Sequence, residues 1–403
     1  MTDRLYYTDA YQTKFAAQII ATQQMNNHSA VILDQTSFYP TSGGQLFDTG
    51  ILGDRRVVDV IAVENGDVLH ILDAPLSNAE PGQAVHGVID WPRRYDHMQQ
   101  HSGQHLLSQI FYHNFGYETV SVHFGDTEST LDLDVAALEQ IQLDEAEKIA
   151  NEMLYASLPI KAYFVNDSEL STVPLRKPPK VTGKIRIVEI DQFDYSACGG
   201  THVRTTAETG IIKFTRLERR RNQVRLTFLC GQRAYRDYVE KHRWLTEAAN
   251  LFSTELSEVP RLVERSLAQI KELQATLKTV AEEQLAHEAD VLANSAQLGE
   301  RYRIVAKIFP DKDAAATKTL AQNLQQHPGM LALLAATAGG KLTLIFVRAA
   351  DVDLHVGNLL RDTLRQFGGS GGGRPDFAQG GGVEPAMAQT LLDFAVQQIK
   401  SEE

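Results

Sequence analysis

The sequence has 403 residues, too many for one ordinary domain, and two to four domains are expected. Hydrophobic residues make up 43% and charged residues 22%, ordinary values for a globular protein with packed cores. No run of about eighteen apolar residues is present, which argues against a membrane span. The N-terminus lacks the basic stretch and apolar run of a signal peptide. We therefore expect a cytoplasmic protein that does not interact with membranes.

The formal net charge of -12 argues against a nucleic-acid partner, but the positive charges are clustered. Two clusters lie on either side of Cys198, one of the two cysteines. The first contains Arg176, Lys177, Lys180, Lys184 and Arg186, and the second contains Lys213, Arg216, Arg219, Arg220, Arg221 and Arg225. Either they are solvated faces or they frame a site for a polyanion, and both interpretations stay open.

The first 92 residues show the pattern of β-structure. Val57–Val63 and Val68–Leu72 are β-branched runs separated by Asn65-Gly66-Asp67, a hairpin signal. Short strands at close spacing with glycine-rich turns predict a small barrel. Trp91-Pro92 then interrupts the chain.

Helical and mixed segments follow in the middle of the chain. Apolar spacing predicts a helix from Arg93 to about Phe111, and an acidic helix is expected from Leu138 to about Ala156. Strands are predicted around Ile160–Phe164, Ile185–Ile190 and Val224–Leu229.

The last part of the chain divides into a helical segment and an α/β segment. Residues 232–296 show long helical periodicity interrupted only by Pro260, which predicts a pair of long helices, either a plain connector or a dimerisation arm. Beyond Leu298, strands and helices alternate. Strands are expected at Tyr302–Ile308 and Lys341–Val347, and helices at Ala314–Gln325, Leu354–Phe367 and Glu384–Lys400.

The pair His101 and His105 is the strongest local signal. Histidines four apart on a helix lie on one face and can converge on a metal ion. The spacing alone is weak evidence, because it arises by chance in many helices. It is not the zinc-protease motif, since Ser102 occupies the position of the required glutamate.

Cys198-Gly199-Gly200-Thr201-His202 supplies a second pair of candidate ligands. A thiolate and an imidazole separated by two glycines can close on a tetrahedral cation. Alone, Cys198 could be a buried thiol and His202 a capping residue. Together the two pairs form a Cys-His₃ set without a carboxylate, which favours zinc over iron or copper.

A third motif begins at Thr36-Ser37-Phe38-Tyr39-Pro40, continues through Gly43-Gly44-Gln45 and ends at Asp48-Thr49-Gly50. This motif is followed along the chain by His101-x-x-x-His105-Leu-Leu and then by Cys198-Gly-Gly-Thr-His202-Val. The three motifs in this order resemble those of the editing domain of alanyl-tRNA synthetase and of the free-standing AlaX proteins. Ser42 replaces the first of three glycines often found before the glutamine. That change is also compatible with the synthetase version.

The C-terminal part extends the resemblance. Gly369-Ser370-Gly371-Gly372-Gly373-Arg374-Pro375 resembles the glycine-rich signature of the DHH-associated domain at the tail of that synthetase. The resemblance covers nearly the whole chain, is weakest around Leu245–Leu298, and corresponds to the long AlaX subtype. The barrel segment begins the sequence and no Asp-His-His motif is present, so we expect neither tRNA charging nor phosphodiester cleavage.

The resemblance implies the following site residues. The ligands of one Zn²⁺ per chain are His101, His105, Cys198 and His202. Thr36 would exchange a hydrogen bond with a seryl hydroxyl, and Gln45 would lie near the substrate ester. The resemblance also assigns tRNA contacts to Gly371, Gly372, Gly373 and Arg374, and we add Arg219, Arg220 and Arg221 from the second basic cluster as further candidates for tRNA contact. From spacing alone, the glycine-rich stretch is better explained as a flexible linker.

The implied fold is α+β and multidomain. It comprises a β-barrel domain (1–92), a zinc-containing editing domain (93–231), a helical segment (232–298) and a compact α/β domain (299–403). The helical segment and the C-terminal domain are candidate surfaces for a homodimer.

The implied function is ATP-independent trans-editing, in which Ser-tRNA(Ala) is hydrolysed and Ala-tRNA(Ala) is spared; removal of glycine is left open. The alternatives are a non-catalytic tRNA-binding module with a structural zinc and a zinc hydrolase for a small amide or ester. A zinc peptidase is disfavoured because the glutamate is missing.

Overall fold

The computed structural model describes residues 1–25, 28–179, 181–299 and 301–402; Lys180 of the first basic cluster lies outside the described residues. The chain forms two compact units, Met1–Leu251 and Phe252–Glu403. Within the described ranges, no helix has the length and apolar character needed to cross a membrane. The predicted domain boundaries at 92, 231 and 298 stay a prediction.

The N-terminal part of the first unit is a closed six-stranded barrel, which confirms the predicted small barrel. Its strands have the order β2-β3-β7-β6-β5-β8. The first half of β2 and all of β8 alternate buried and exposed residues, as half-buried strands do, whereas β7 is buried along its whole length. Strands β1 and β4 form a separate, short parallel pair. The strands are β1 (Asp3–Arg4), β2 (Lys14–Met25), β3 (His28–Leu33), β4 (Gln35–Thr36), β5 (Gly50–Leu52), β6 (Arg55–Ala62), β7 (Val68–Leu72) and β8 (Ala84–Ile89).

Helix α1 (Trp91–Phe115) follows the barrel and carries the first histidine pair. Asp90 caps its N-terminus by accepting a hydrogen bond from the Arg93 backbone N–H, and Gly116 ends it with a left-handed φ of 72°. The helix is therefore longer at both ends than the apolar pattern predicted. Most of its residues from Arg94 to Phe111 are buried, so the helix lies inside the unit rather than on its surface.

Two further sheets and a second helix complete the site-bearing part of this unit. β9 (Thr119–Phe124), β10 (Ser129–Leu133), β14 (Ile212–Arg220) and β15 (Gln223–Cys230) form an antiparallel sheet in the order β14-β15-β10-β9. Helix α2 (Gln140–Ala156) and α1 pack in one core with this sheet. β11 (Ile160–Asn166), β12 (Lys184–Ile190) and β13 (Asp194–Ala197) form a second antiparallel sheet.

The helical segment consists of two helices, as predicted. Helix α3 (Gln232–Leu251) ends the first unit, and α4 (Val259–Asn294) begins the second. Pro260 does not interrupt a helix. It lies in the first turn of α4, where its missing N–H would have no partner.

The second unit is a three-layer α/β domain, which matches the predicted class. Its sheet has the order β16-β17-β18-β19-β21-β20, and only β17 and β18 are parallel. Helices α6 and α7 pack on one face, and α5 and the end of α4 pack on the other. The elements are β16 (Gln297–Leu298), β17 (Arg303–Phe309), α5 (Ala314–Leu324), β18 (Met330–Ala336), β19 (Thr343–Arg348), α6 (Val356–Gln366), β20 (Ser370–Gly373), β21 (Phe377–Gly381) and α7 (Ala388–Glu402).

The glycine-rich stretch is an edge hairpin of this sheet rather than a linker. β20 pairs with β21, and a Cβ on Gly373 would lie 2.2 Å from the carbonyl oxygen of Phe377. A Cβ on Gly380 would lie 2.4 Å from Leu364 of α6. The glycines therefore let the hairpin strands approach each other and the helix closely.

Candidate metal centre

Four potential metal ligands converge in the first unit. His101 and His105 lie one turn apart on α1, and Cys198 and His202 belong to the loop that follows β13. Their ligand atoms all lie within 4.8 Å of one another. Sγ of Cys198 is 3.4 Å from Nε2 of His101 and 3.4 Å from Nε2 of His202. The structure thus brings together the two motifs that the sequence separates by almost a hundred residues.

Each histidine of the cluster makes a hydrogen bond through Nδ1 to a residue outside the cluster. The partners are Oε1 of Gln45 for His101 (2.9 Å), Oδ2 of Asp194 for His105 (3.1 Å) and Oγ of Ser102 for His202 (3.1 Å). A histidine held at Nδ1 has a fixed ring orientation and leaves Nε2 for a metal ion. None of these partner roles was predicted from the sequence, because the contacts depend on the tertiary fold.

Asp194 is itself fixed by a small network. It is fully buried and accepts hydrogen bonds from Nε of Arg176 at 3.1 Å and from Oγ of Ser196 at 2.9 Å. A buried carboxylate is stable only when paired and hydrogen-bonded. Arg176, which the sequence placed in a basic cluster, therefore supports the ligand His105 through Asp194.

Gln45 connects the barrel to the cysteine loop. Its Nε2 donates to Oγ1 of Thr201 at 2.8 Å, and its Oε1 accepts from the Thr201 backbone N–H at 3.1 Å. The side chain is fully buried and touches His101 as well. The predicted position of Gln45 near a substrate ester stays a prediction; in the structure, Gln45 contacts His101 of the cluster.

The cysteine loop is held by Arg186 of β12 and by a close approach at Gly200. Nη1 of Arg186 donates to the carbonyl oxygens of Cys198 and Gly200, each at 2.9 Å. A Cβ on Gly200 would lie 2.1 Å from Cε1 of His101, so a side chain there would collide with the imidazole ring. The second glycine of the motif is thus required by the packing of the metal ligands.

The electrostatics of the cluster suit a thiolate. Burial opposes ionisation of the Cys198 thiol, but the neighbouring His101 and His202 outweigh it and hold its pKa well below the usual range. Burial disfavours the charged form of His105, yet hydrogen bonds to Asp194 and Cys198 raise its pKa to about 9. Burial and the nearby His101 lower the pKa of His202 to about 3.

The donor set fits a zinc ion. Three imidazoles and one thiolate are borderline and soft ligands, and such a mixed set is typical of tetrahedral Zn²⁺. The Nδ1 hydrogen bonds supply the outer partners that metal-bound histidines usually have. His101, His105, Cys198 and His202 would therefore hold the ion.

A cavity of about 620 Å³ adjoins the cluster, and His101, His105 and Cys198 form part of its wall. Three aromatic rings and four basic side chains also line it. The aromatic residues are Tyr7, Tyr39 and Phe164, and the basic residues are Arg176, Lys177, Lys184 and Arg186. Ser42 and Gly43 of the glycine motif reach the same cavity. The arrangement can admit a ligand next to the cluster.

Thr36 is fully buried and is not among the described residues that line the cavity. Its Oγ1 lies 2.7 Å from Nε2 of His70 and accepts a hydrogen bond from the Phe38 backbone N–H at 3.1 Å. His70 is also fully buried, its Nδ1 lies 3.0 Å from the carbonyl oxygen of Val31, and burial lowers its pKa to about 4. A neutral His70 that donates from Nδ1 can only accept at Nε2, so the Thr36 hydroxyl is the donor.

The Asp-x-Gly end of the third motif has a structural role that the sequence did not reveal. Asp48 pairs with Arg94 of α1, and both side chains are almost completely buried. Nε of Arg94 lies 3.0 Å from both carboxylate oxygens, and the Tyr39 backbone N–H donates to Asp48 at 2.6 Å. This pair fixes the Thr36–Pro40 segment to the helix that carries the histidines.

The predicted tRNA-binding residues belong to elements other than those that carry the cluster. Arg219 and Arg220 end β14, Arg221 follows in the turn with a φ of 43°, and all three are exposed. Gly371–Gly373 lie in β20 of the second unit, and Arg374 pairs with Asp376. None of them is among the described residues that line the cavity, and their assignment to tRNA stays a prediction.

Comparison with known proteins identifies three matching family models. Residues 2–93 match the model "tRNA synthetases class II (A)", residues 185–226 match "Threonyl and Alanyl tRNA synthetase second additional domain", and residues 301–401 match "DHHA1 domain". The matches thus include the barrel, the Cys198–His202 loop and the α/β domain.

Individual relatives extend these matches over the whole chain. The alanyl-tRNA editing protein AlaX-L of Pyrococcus horikoshii is 27% identical over 409 residues, which cover 100% of this chain and 99% of the relative. The predicted resemblance to AlaX-L is confirmed. An alanine–tRNA ligase of Archaeoglobus fulgidus is 31% identical over 420 residues; this chain spans 44% of that ligase.

A solved structure of the C-Ala domain from Aquifex aeolicus alanyl-tRNA synthetase matches 26% of this chain and 93% of its own length, with 23% identity and a TM-score of 0.23.

Proposed function

We propose that this protein is a zinc-dependent aminoacyl-tRNA deacylase that removes serine from mischarged Ser-tRNA(Ala) in trans and spares Ala-tRNA(Ala). The observation that carries the proposal is the Cys-His₃ cluster at the wall of a cavity with four basic lining residues. Alignment with nearly all of an alanyl-tRNA editing protein supports the substrate class. The site is proposed to hold one ion per chain.

A bound Zn²⁺ would either lower the pKa of a water molecule or use its positive charge to orient the substrate ester. The protein's own contribution is positional. Gln45, Asp194 and Ser102 fix the three imidazole rings, and Arg186 fixes the loop that carries Cys198. The basic lining of the cavity offers counter-charges for a phosphate.

We propose that Thr36 discriminates serine from alanine, and the contacts around it define how it could do so. Because its hydrogen is directed to His70, Thr36 would accept a hydrogen bond from the seryl hydroxyl through a lone pair on Oγ1. Alanine would leave that group without a new partner, and such polar selection rejects an analogue better than size does.

A matched pair of variants tests the role of Thr36. Thr36→Val keeps the shape and removes the hydroxyl, and it should reduce the preference for Ser-tRNA(Ala) over Ala-tRNA(Ala) by at least about tenfold. Thr36→Ser keeps the hydroxyl and should retain the preference. Full discrimination by the valine variant would exclude Thr36 from recognition.

The proposed tRNA contacts lie at Arg219, Arg220 and Arg221 and at the segment Gly371–Arg374. We also propose a cytoplasmic location. A homodimer through residues 232–298 or the C-terminal domain belongs to the same proposal.

One observation favours a second candidate, a non-catalytic tRNA-binding module. All four ligand positions of a tetrahedral ion would be occupied by protein, and structural zinc sites are closed in this way. This alternative predicts that tRNA(Ala) binds while its seryl ester stays intact.

The deciding experiment measures deacylation of Ser-tRNA(Ala) and Ala-tRNA(Ala) by wild-type protein, Cys198→Ala and Cys230→Ala. Cys230, the other cysteine of the chain, is buried, is not one of the four converging residues, and provides the control for loss of a cysteine side chain. We expect wild type and Cys230→Ala to release serine and Cys198→Ala to lose both zinc and activity. Intact esters with tRNA still bound would instead establish the binding module.

A further inference from the structure

Away from the metal cluster, the described Lys, Arg, Asp and Glu side chains that line the cavity are all positive. Four Lys or Arg side chains and no Asp or Glu are among its described lining residues, in a chain with a net charge of -12. Such a local excess of positive charge predicts an anionic ligand, because an unopposed cationic surface attracts phosphate.

Three of these four cations are already engaged. Arg176 contacts Asp194 and Ser196, Arg186 donates to backbone carbonyls, and Lys177 contacts the carbonyl oxygen of Thr119 and the carboxylate of Glu118. Lys184 differs from them. Among the described residues it has no carboxylate partner. Its Nζ makes a cation–π contact with the ring of Phe164, 4.7 Å from the ring centroid.

Phe164 presents a partly exposed aromatic ring in contact with this cation. It lies on β11, its side chain is 40% exposed, and it faces the cavity together with Tyr7, whose ring centroid is 6.1 Å away. Lys184 lies at the start of the paired strand β12, in register with Asn166. A partly exposed ring next to an exposed ammonium group without a carboxylate partner among the described residues is the combination that binds a single-stranded nucleotide, since every base can stack and every nucleotide carries a phosphate.

We propose that Phe164 and Lys184 bind the 3′-terminal nucleotide of the RNA substrate, with the base stacked on Phe164 and a neighbouring phosphate paired with Lys184. This inference rests on the proposed function, since that nucleotide carries the aminoacyl ester. Phe164 and Lys184 would thus bind the substrate at one part of the cavity wall, and the histidine and cysteine side chains would hold the metal ion at another part.

Direct binding tests the proposal without any reaction. The probe is a 5′-fluorescein-labelled RNA oligonucleotide ending in CCA and not aminoacylated, titrated by anisotropy against the full-length, zinc-loaded protein. We expect Phe164→Ala to weaken binding roughly tenfold and Phe164→Tyr, which keeps the ring, to bind like wild type. Phe252→Ala removes a phenylalanine of similar exposure (38%) and should have no effect.

The two halves of the site are separable. A second oligonucleotide lacks only the terminal base. Wild type should bind it as weakly as Phe164→Ala binds the normal oligonucleotide. Phe164→Ala should bind this second oligonucleotide no more weakly than wild type does. Lys184→Gln should reduce the slope of log K against log salt by about 0.7, the value for one contact to single-stranded RNA. Equal affinity of wild type, Phe164→Ala and Phe164→Tyr for the normal oligonucleotide would overturn the proposal.

Deacylation distinguishes this inference from the proposed function. If Ser-tRNA(Ala) is hydrolysed, Phe164→Ala should raise KM about tenfold at nearly constant kcat and retain full zinc content. If the Phe164 and Lys184 variants change oligonucleotide binding as expected but wild type hydrolyses no ester, the nucleotide site stands and the deacylase function fails. If hydrolysis occurs and KM is unchanged in Phe164→Ala, the nucleotide site fails alone.

Discussion

Gly200 shows how a single missing side chain allows the metal ligands to assemble. Its Cα lies against the His101 ring so closely that a Cβ would be 2.1 Å from Cε1 and 3.1 Å from Oε1 of Gln45. Gly200→Ala should therefore displace His101 and lower both zinc affinity and deacylation by at least about tenfold, the size of effect expected when a metal ligand loses its orientation.

The neighbouring glycine provides the control. A Cβ on Gly199 would meet only Tyr7, at 3.4 Å, so Gly199→Ala should keep its zinc. Metal content by mass spectrometry after dialysis compares the two variants. Equal zinc content in both would show that the loop adjusts and that Gly200 is not required by packing.

His70 makes the stability of the barrel depend on pH. Burial lowers its folded-state pKa to about 4, below the value of about 6.5 for an unfolded chain. The unfolded state therefore binds the proton more tightly, and the stability contributed by neutral His70 is complete above about pH 6.5 and is lost as the pH falls toward 4. The loss amounts to about 3 kcal/mol for this single group.

Urea unfolding at pH 7 and pH 4.5 measures this effect. Trp91 and Trp244, the two tryptophans of the chain, both lie in the first unit, so their fluorescence follows its unfolding. His70→Gln should be less stable than wild type at pH 7 but should lose about 2 kcal/mol less between the two pH values. The exposed His86→Gln variant should follow wild type, and parallel pH dependence of His70→Gln and wild type would contradict the assignment.

The sequence predicted the four residues that converge in the candidate metal cluster, but not the residues that hold their side chains in place. Two ligands four residues apart are visible in the sequence, because a helix or a short loop fixes their geometry locally. Asp194, Ser102 and His70 gave no comparable signal. Their roles arise only when strands and helices distant in the chain pack together, so no local spacing could have revealed them.

At the scale of elements, α1 is positioned by its contact with β15. Gly103 lies between the two histidines of α1, and a Cβ there would be 2.3 Å from Sγ of Cys230 on β15. Gly103→Ala should thus destabilise the protein by roughly 1–3 kcal/mol through overpacking, even though alanine is the better helix former.

A double-mutant cycle tests whether Cys230 is the obstacle. Cys230→Ala removes the sulfur, so the double variant should be more stable than the sum of the single effects predicts, by more than about 0.5 kcal/mol. Urea unfolding of wild type, both single variants and the double variant gives the four free energies. Additive effects would indicate that Gly103 is constrained by another neighbour, such as Thr209.

Elements marked by a local signal were predicted well, and those without one were missed. The strands at 57–63 and 68–72 appear close to where they were expected, because β-branched runs on either side of a turn sequence mark them, and the helix after Asp313 is marked by its cap. The central strand β18 was not predicted, since both faces are buried and Met330–Ala336 carries no alternation. β20 was not predicted either, because four residues of which three are glycine have low strand propensity and are ordered by β21 and α6.

At the scale of the whole molecule, the metal cluster and the α/β domain belong to different units. The four ligands, their hydrogen-bond partners and the cavity all lie within Met1–Leu251, and that unit has its own cores. The second unit has apolar layers on both faces of its sheet. Each unit therefore contains what an independent domain needs.

We accordingly predict that a fragment of residues 1–251 folds, binds one zinc per chain and keeps the zinc affinity of the full-length protein within about threefold. Its KM for Ser-tRNA(Ala) should rise, because the proposed contacts at Gly371–Arg374 are removed, whereas kcat should change little. Zinc titration, circular dichroism and deacylation kinetics of the fragment and the full chain make the comparison. A fragment that is unfolded or binds no zinc would show that the second unit stabilises the first, and an unchanged KM would remove the second unit from tRNA binding.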